Sequence, residues 1–588
     1  MVRPVIFVLG VSALPLARKL KAELDAEIHA PEWIMGGDIN YPKATPHLAQ
    51  LFRDNRTIIG LCASGILIRA IAPVLKNKSF EPPVIAVAAD GSSVVPLLGG
   101  HHRANTLASD IAEVCSGHAA ITTATDVVFG VALDEPPFGY TLRNCFDVKS
   151  FAARLLAEKK VKIVGRAPWL EILPQASDAN LMITVTDADV EGNTQHLVYH
   201  PWTLSVGVGC ERGTPVDEVR ALVRQTLKAN NLAEKSVTGY GSIDLKEDEP
   251  AIVDEFFPGI TFFTADELNA VSHRLSSPSE IVLQATGTPS VAEAAALALS
   301  EPDAQLIVPK TKSKRATCAV ARSNSLVLTT RGRSQGILLV VGVGPGSKFL
   351  RSREAATKIA VASDWVGYGL YLDLIADLKS DQQEHRFPLG GEEDRVRHAI
   401  ALAKQGKEVA LVCSGDAGIY AMAALVYEII DLEPCRIRIE VIPGISAFQA
   451  AAAKAGAMIG HDFCCISLSD LLTPWEVIEK RVKAAAEGDF VVSFYNPRSM
   501  KRRDQLERAF AILGQYRQPD TPVVIASNLG RPEEKVKIVR FADFNPDDAD
   551  MLTLVMVGSS QSKSFMRGDG RTYAYTPRGY ARKRDHAE

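Results

Sequence analysis

The chain has 588 residues, 47% of them apolar and 23% charged, with a formal net charge of −4. That length exceeds what one hydrophobic core holds and predicts three or four domains. The small negative charge argues against a dedicated nucleic-acid binder, and no apolar run reaches the roughly 18 residues of a membrane span.

Apolar β-like runs alternate with helical patterns almost throughout, which predicts a multidomain α/β protein with largely parallel sheets. The opening "MVRPVIFVLGVSALPLARKL" reads as a first strand and helix rather than a leader peptide, so a cytoplasmic protein is expected. Nine scattered cysteines without a Cys-x-x-Cys pair predict neither a disulfide framework nor a metal site.

The first block is expected over 1–135. In "GLCASGILIRAIAPVL", Ser64-Gly65 marks a strand-to-helix turn, with Arg69 one helical turn on. In "VIAVAADGSSVVPLLGGHHRANTLASDIA", Asp90 sits at a hairpin-like turn, and Gly99 to Arg103 lead into another helix. His101 is a candidate general acid or base, since an unperturbed imidazole titrates near working pH; a solvent-exposed loop histidine is the alternative. The adjacent His101 and His102 lack further ligands at metal-binding spacing. A more polar block, 136–203, opens on Pro136 and Pro137. The third, 204–328, begins "LSVGVGCERGTP" and gathers Lys310, Lys312, Lys314 and Arg315, suited either to an acidic ligand or to solvent. "TTRGRSQG", 329–336, reads as a linker. A fourth block covers 337–563, and the basic, non-periodic remainder, 564–588, is expected to be mobile.

The fourth block opens on "LLVVGVGPGS", an apolar strand running into a glycine turn. It is not a dinucleotide fingerprint. The third glycine position of that motif is Ser347, Pro345 removes an amide from the turn, and Asp364 precedes the next strand instead of ending it. Further strand-turn-helix units follow in "VALVCSGDAGIYAMAALVYEII", "IEVIPGISAFQAAAAKAG", "DFVVSFYNPRS" and "TPVVIASNLGRP". Glycine-bearing turns at the carboxyl ends of strands are where an open α/β sheet holds a ligand.

Over about 336–563 these motifs resemble the tetrapyrrole methylase family, which uses S-adenosylmethionine to modify uroporphyrinogen and the precorrins. "GHDFCCISLSDLLTPWEVIEKRVKAAAEGDFVVSFYNPRS" and "WVGYGLYLDLI" are similar to its precorrin-3B C17-methyltransferase branch, whose reaction also contracts the macrocycle. The resemblance implies that Pro345, Gly415, Asp416, Ile419, Ser446, Ala447, Asn496, Leu529 and Gly530 surround the methyl donor. For Asp416, a helix N-cap is the alternative role. Ala417 stands where the family usually has Pro. Asp470 and Tyr495 are candidates for moving protons on the substrate. Arg498 and Arg502, in "RSMKRR", are candidates for holding its carboxylates, with a solvated helix start as the alternative. A homodimer through this domain is implied.

The first three blocks resemble the cobalt-precorrin-5A hydrolase family, which opens a lactone on the corrinoid ring and releases acetaldehyde. Cys62 to Gly65, Arg69 to Pro73, Asp90 and "LLGGH" carry the resemblance. It makes Asp90 and His101 candidate catalytic groups and Arg69 a substrate contact. Gly99 replaces the family's Ser, and His102-Arg103 replace glycines. These departures leave a non-catalytic corrinoid-binding module as the second reading of this half.

Overall fold

The computed structural model describes residues 3–76, 81–100, 103–122, 128–256, 259–300, 302–499 and 504–580. It forms two compact units, one of 1–241 with 268–331 and one of 242–267 with 332–588.

The first unit begins with strands β1 (Val5–Val8), β2 (Glu27–Pro31), β3 (Ile39–Tyr41), β4 (Ile58–Leu61), β5 (Val84–Val87), β6 (Ser93–Leu98) and β7 (His118–Ala119). They form one sheet in the order β3-β2-β1-β4-β5-β6-β7. Strands β1 to β5 run parallel, and β5 and β6 make the antiparallel hairpin whose turn carries Asp90. Both faces are covered, so β1 is apolar at every position. Ile6 and Val8 enter one core and Val5 and Phe7 the other. Strands β8 (Tyr140–Leu142), β9 (Lys162–Val164), β10 (Met182–Val185) and β11 (His196–Pro201) follow, ordered β8-β11-β10-β9.

The third sheet includes β12 (Leu204–Cys210), β13 (Val237–Ile243), β15 (Gln305–Lys312) and β16 (Ala316–Arg322), ordered β13-β12-β16-β15. Gly207 on β12 admits the alanine-rich helix Val291–Ala298 so closely that a Cβ there would lie 1.9 Å from the Ala292 carbonyl oxygen. Strand β14 (Ile260–Phe263) falls in the segment that belongs to the second unit. There Phe262 and Arg333 exchange backbone hydrogen bonds of 2.7 and 3.0 Å. The Gln335 side chain is buried and donates to the Glu247 carbonyl. Arg333 and Gln335 of the stretch expected to be a linker thus make contacts within the second unit.

The remainder of the second unit has two lobes. In the first, β17 (Ile337–Gly342), β18 (Asp364–Tyr368), β19 (Gln383–Phe387), β20 (Glu408–Cys413) and β21 (Arg438–Ile442) form a parallel sheet ordered β19-β18-β20-β17-β21. Leu338 and Val340 pack into one face, Leu339 and Val341 into the other. At the opposite end of β18, Asp364 Oδ1 accepts from His385 Nε2 at 2.9 Å and Lys407 Nζ at 3.0 Å.

The second lobe's main sheet is made of β23 (Phe463–Ser467), β24 (Val491–Tyr495), β25 (Pro522–Ser527), β26 (Lys535–Arg540) and β27 (Thr553–Val557), ordered β23-β24-β27-β25-β26. Arg517 is buried beneath it. Its guanidinium donates to Gly558 O at 2.8 Å, Phe490 O at 2.8 Å and Ala486 O at 3.3 Å, and meets Asp489 at 3.1 Å.

The described residues of the stretch expected to be mobile include part of a small sheet. Strand β22 (Gly456–Ala457) pairs with β29 (Thr572–Tyr575), which pairs with β28 (Lys563–Met566). Alternation of Phe565, Tyr573 and Tyr575 lets their rings meet across this hairpin, a period-two pattern hidden by the basic composition around it. Among the described residues, no helix is long and apolar enough to cross a membrane, and no group of three or more His, Cys, Asp or Glu could hold a metal ion.

Candidate functional site

Four turns of the second unit converge at the carboxyl ends of β17, β20, β21 and β25. Gly344 and Gly415 both have positive φ, 80° and 70°, and exchange backbone hydrogen bonds of 3.1 and 2.8 Å. That conformation favours glycine. Contact is closest at Gly444, where a Cβ would lie 2.1 Å from Gly415 O and 2.6 Å from Gly342 O. The fourth turn arrives from the second lobe. A Cβ on Gly530 would lie 2.7 Å from Ser347 N, and one on Gly346 would lie 2.3 Å from Arg531 Cγ.

Asp416 locks this arrangement. One carboxylate oxygen accepts from Gly418 N at 2.8 Å, the other from Gly444 N at 3.0 Å. It is not a helix N-cap, because the next helix begins only at Met422. Ala417, where proline is usual, is fully buried. Pro345 lies in the first turn, and its carbonyl accepts from Arg531 Nε at 3.1 Å. Ser446 is buried at the start of helix Ala447–Ala455, and its N–H donates to Gln449 Oε1 at 2.9 Å. Ile419, Ala447 and Leu529 belong to one apolar cluster beside these turns. Asn496 is exposed at the end of β24 with φ 50°, and its amide donates to Ser467 Oγ at 3.1 Å.

The candidate proton carriers have structural partners. The Tyr495 hydroxyl accepts from Phe448 N at 3.3 Å, and burial pushes its pKa far above the ordinary phenol value. Asp470 accepts from Gln505 Nε2 at 2.8 Å. Arg498 is ion-paired with Asp547. Arg502 lies outside the described residues. Arg531, which the sequence reading passed over, follows directly on Leu529-Gly530. Besides Pro345 O it reaches Ser414 Oγ at 3.1 Å, so one side chain ties the second lobe to two turns of the first. Its signal was a cation inside a turn already singled out for its glycine.

In the first unit, helix Ser64–Ile71 starts just after β4. Arg69 is exposed on it, with a guanidinium nitrogen 3.3 Å from where a Gly65 Cβ would be. Asp90 is solvent-exposed, and its carboxylate accepts from Ser92 N at 3.0 Å and Ser92 Oγ at 2.7 Å, which holds its pKa below the usual range. Gly99 has φ 76°, and a Cβ there would stand 2.7 Å from Pro83 Cα, so the serine of the resembled motif does not fit this backbone. His101 lies outside the described residues. In the third block, the Arg315 side chain donates to Arg212 O at 2.7 Å, Thr214 Oγ1 donates to Glu211 O at 2.8 Å, and Lys310 Nζ donates to Ser277 O at 2.6 Å. The basic cluster is thus partly engaged in bracing its own turn.

Interlocked glycine turns at the carboxyl edge of one lobe, met by a turn from a second lobe, define a two-lobed α/β domain. The tetrapyrrole (corrin/porphyrin) methylase model matches residues 338–545. The cobalamin synthesis G N-terminal and C-terminus models match 46–126 and 204–321. The probable cobalt-factor III C(17)-methyltransferase of Salmonella typhimurium is 43% identical over 244 residues, which are 42% of this chain and 99% of that one. The precorrin-3B C(17)-methyltransferase of a Sinorhizobium species is 41% identical over 249 residues, 42% of this chain and 98% of that one. The crystal structure of the methyltransferase CobJ aligns at 39% identity over 42% of this chain and all of that one, with a TM-score of 0.39. The chain belongs to the tetrapyrrole methylase family, and carries cobalamin synthesis G domains ahead of its methylase domain.

Proposed function

We propose that the second unit methylates C17 of precorrin-3B, or of its cobalt form, with S-adenosylmethionine as donor and with contraction of the ring. The observation that carries this reading is the match over virtually the whole length of two C17-methyltransferases. The residues present fit the donor. Glycine turns allow close backbone approach, Ile419, Ala447 and Leu529 offer an apolar wall, and Arg531 keeps a buried Nη1 with no partner among the described residues. Bound there, S-adenosylmethionine would supply an activated methyl group. The chain's own task is then alignment rather than base catalysis. Gly415 and Asp416 fix the turn beside the donor, and Tyr495, held neutral by burial, braces the helix that begins at Ala447.

The first unit is proposed to act on the same pathway's later lactone, releasing acetaldehyde, with Arg69 and Asp90 at the carboxyl edge of its first sheet and His101 nearby in sequence. A binding module without hydrolysis is the second reading, favoured by the Asp90 carboxylate being engaged by Ser92. A homodimer formed through the methylase domain and a cytoplasmic location complete the proposal.

The test is incubation of the full chain with precorrin-3B and S-adenosylmethionine, followed by product mass and absorbance. A product one methyl heavier with the spectral change of ring contraction supports the reading. Unmodified precorrin-3B and cobalt-factor III, with donor bound, would overturn it. Acetaldehyde release from cobalt-precorrin-5A separates the two readings of the first unit.

A further inference from the structure

Two arginines of the methylase domain are taken out of water without a carboxylate to balance them. Arg395, on helix Glu392–Ala403, is 3% exposed. Among the described residues its guanidinium reaches only Pro388 O at 3.2 Å and Met422 Sδ at 4.0 Å, and its buried Nε has no partner. Arg531 is half-buried, donates to Pro345 O and Ser414 Oγ, and has a buried Nη1 with no partner among the described residues. Neither forms an ion pair among the described residues. Tyr371, on the short helix after β18, has a hydroxyl that burial pushes above its ordinary pKa, while the positive fields of Arg531 and Arg395 both pull it back down. That hydroxyl has no hydrogen-bond partner among the described residues. The Tyr371 ring meets Tyr368, the last residue of β18, edge-on at 5.2 Å.

A buried guanidinium normally has an anion or a full set of acceptors, because the desolvation of an unpaired cation is costly. Here two cations and a phenol lie at the carboxyl edge of the first lobe, each with a donor to spare. The Asp416 carboxylate of the site is already committed to Gly418 N and Gly444 N. Gly346 leaves the space through which the Arg531 stem passes.

We infer that Arg531, Arg395 and Tyr371 form a carboxylate receptor that is completed by ligand. This rests on the methyltransferase reading, which provides two sources for the carboxylate: the amino-acid end of the methyl donor and the peripheral acids of the tetrapyrrole. Arg531 is the member that senses occupancy of both lobes, because its other two bonds hold Pro345 and Ser414. Arg498, engaged by Asp547, is not needed for this role.

The experiment is calorimetric binding to the full chain of S-adenosylhomocysteine, of 5′-methylthioadenosine, which lacks the amino-acid end, and of uroporphyrin III as a stable polycarboxylate. Wild type is compared with R531Q and R531K, and with Tyr371→Phe as the milder change should R531Q fail to fold. A charge-assisted bond lost from such a site weakens binding by about 10-fold or more. Loss for S-adenosylhomocysteine but not methylthioadenosine, partly rescued in R531K, supports the receptor and names the donor as source. Loss for uroporphyrin alone supports it and names the tetrapyrrole. Folded R531Q and Tyr371→Phe that bind all three compounds like wild type would overturn the receptor. Wild type that binds none of them would overturn the methyltransferase reading itself, and the receptor with it.

Discussion

The Asp416 carboxylate accepts the Gly444 N–H at 3.0 Å, joining the turn after β20 to the turn after β21. The same group also holds Gly418 N, so it sets the shape of two walls of the cleft at once. Asp416→Asn keeps one acceptor and loses the charge. The bond lost is within the protein, so the melting temperature should fall, with a loss of about 1–3 kcal/mol of stability, and affinity for S-adenosylhomocysteine should fall about 10-fold as the two turns loosen. Calorimetry with parallel thermal melts checks both parts.

Gly444→Ala is the severe counterpart. Its new methyl carbon would meet two backbone oxygens, Gly415 O and Gly342 O, neither of which can move without parting the strand ends. A loss of about 3 kcal/mol or more is expected in the methylase domain, read by urea unfolding of the full chain.

Tyr495→Phe tests a proton-transfer role directly. The hydroxyl accepts from Phe448 N, and burial keeps it protonated. The variant should lose about 1 kcal/mol of stability and keep methyl transfer within about threefold of wild type. A fall of two orders of magnitude in turnover, with donor binding intact, would return Tyr495 to the chemistry.

The first unit should weaken in acid in two stages. His29 Nδ1 and His47 Nε2 lie 2.8 Å apart, and Arg56 pairs with Glu27 at 2.7 Å. Burial, then the neighbouring His29, lowers the His47 pKa to about 4. The His29 imidazole, its Nε2 3.5 Å from the carboxylate, lowers Glu27 to about 2, opposed by burial and aided by Arg56. The unfolded chain therefore takes up a proton at His47 below about pH 6.5 that the folded unit refuses until about 4. Stability falls across that window by at most about 1.4 kcal/mol per pH unit. Glu27 continues the loss from about pH 4.5 toward 2. His47→Gln should flatten the upper stage alone, as followed by denaturant midpoints between pH 7 and 4.

Sequence patterning located the strands and glycine turns of both units because those signals are local. Continuous apolar runs along β1 and β17 and small residues at turns leave a mark in any short window. The partners of the candidate side chains are not local. Arg531 meets Pro345 across 186 positions, and Asp416 meets Gly444 across 28. Arg498 looked available within "RSMKRR" because Asp547 stands 49 positions away. The hairpin of β28 and β29 was missed for another reason: its arginines and glycines mask a period-two aromatic pattern that only cross-strand pairing makes visible.

Arg517 carries a consequence for how the second lobe opens. Its three carbonyl acceptors belong to the end of helix Trp475–Glu487, the start of β24 and the end of β27. Should any one of these segments peel away, a guanidinium N–H would lose its acceptor in the core, which couples their opening. Slow amide exchange in β24 and β27 would then share one free energy and one denaturant slope, making the lobe a single cooperative breathing unit rather than a sheet that frays strand by strand.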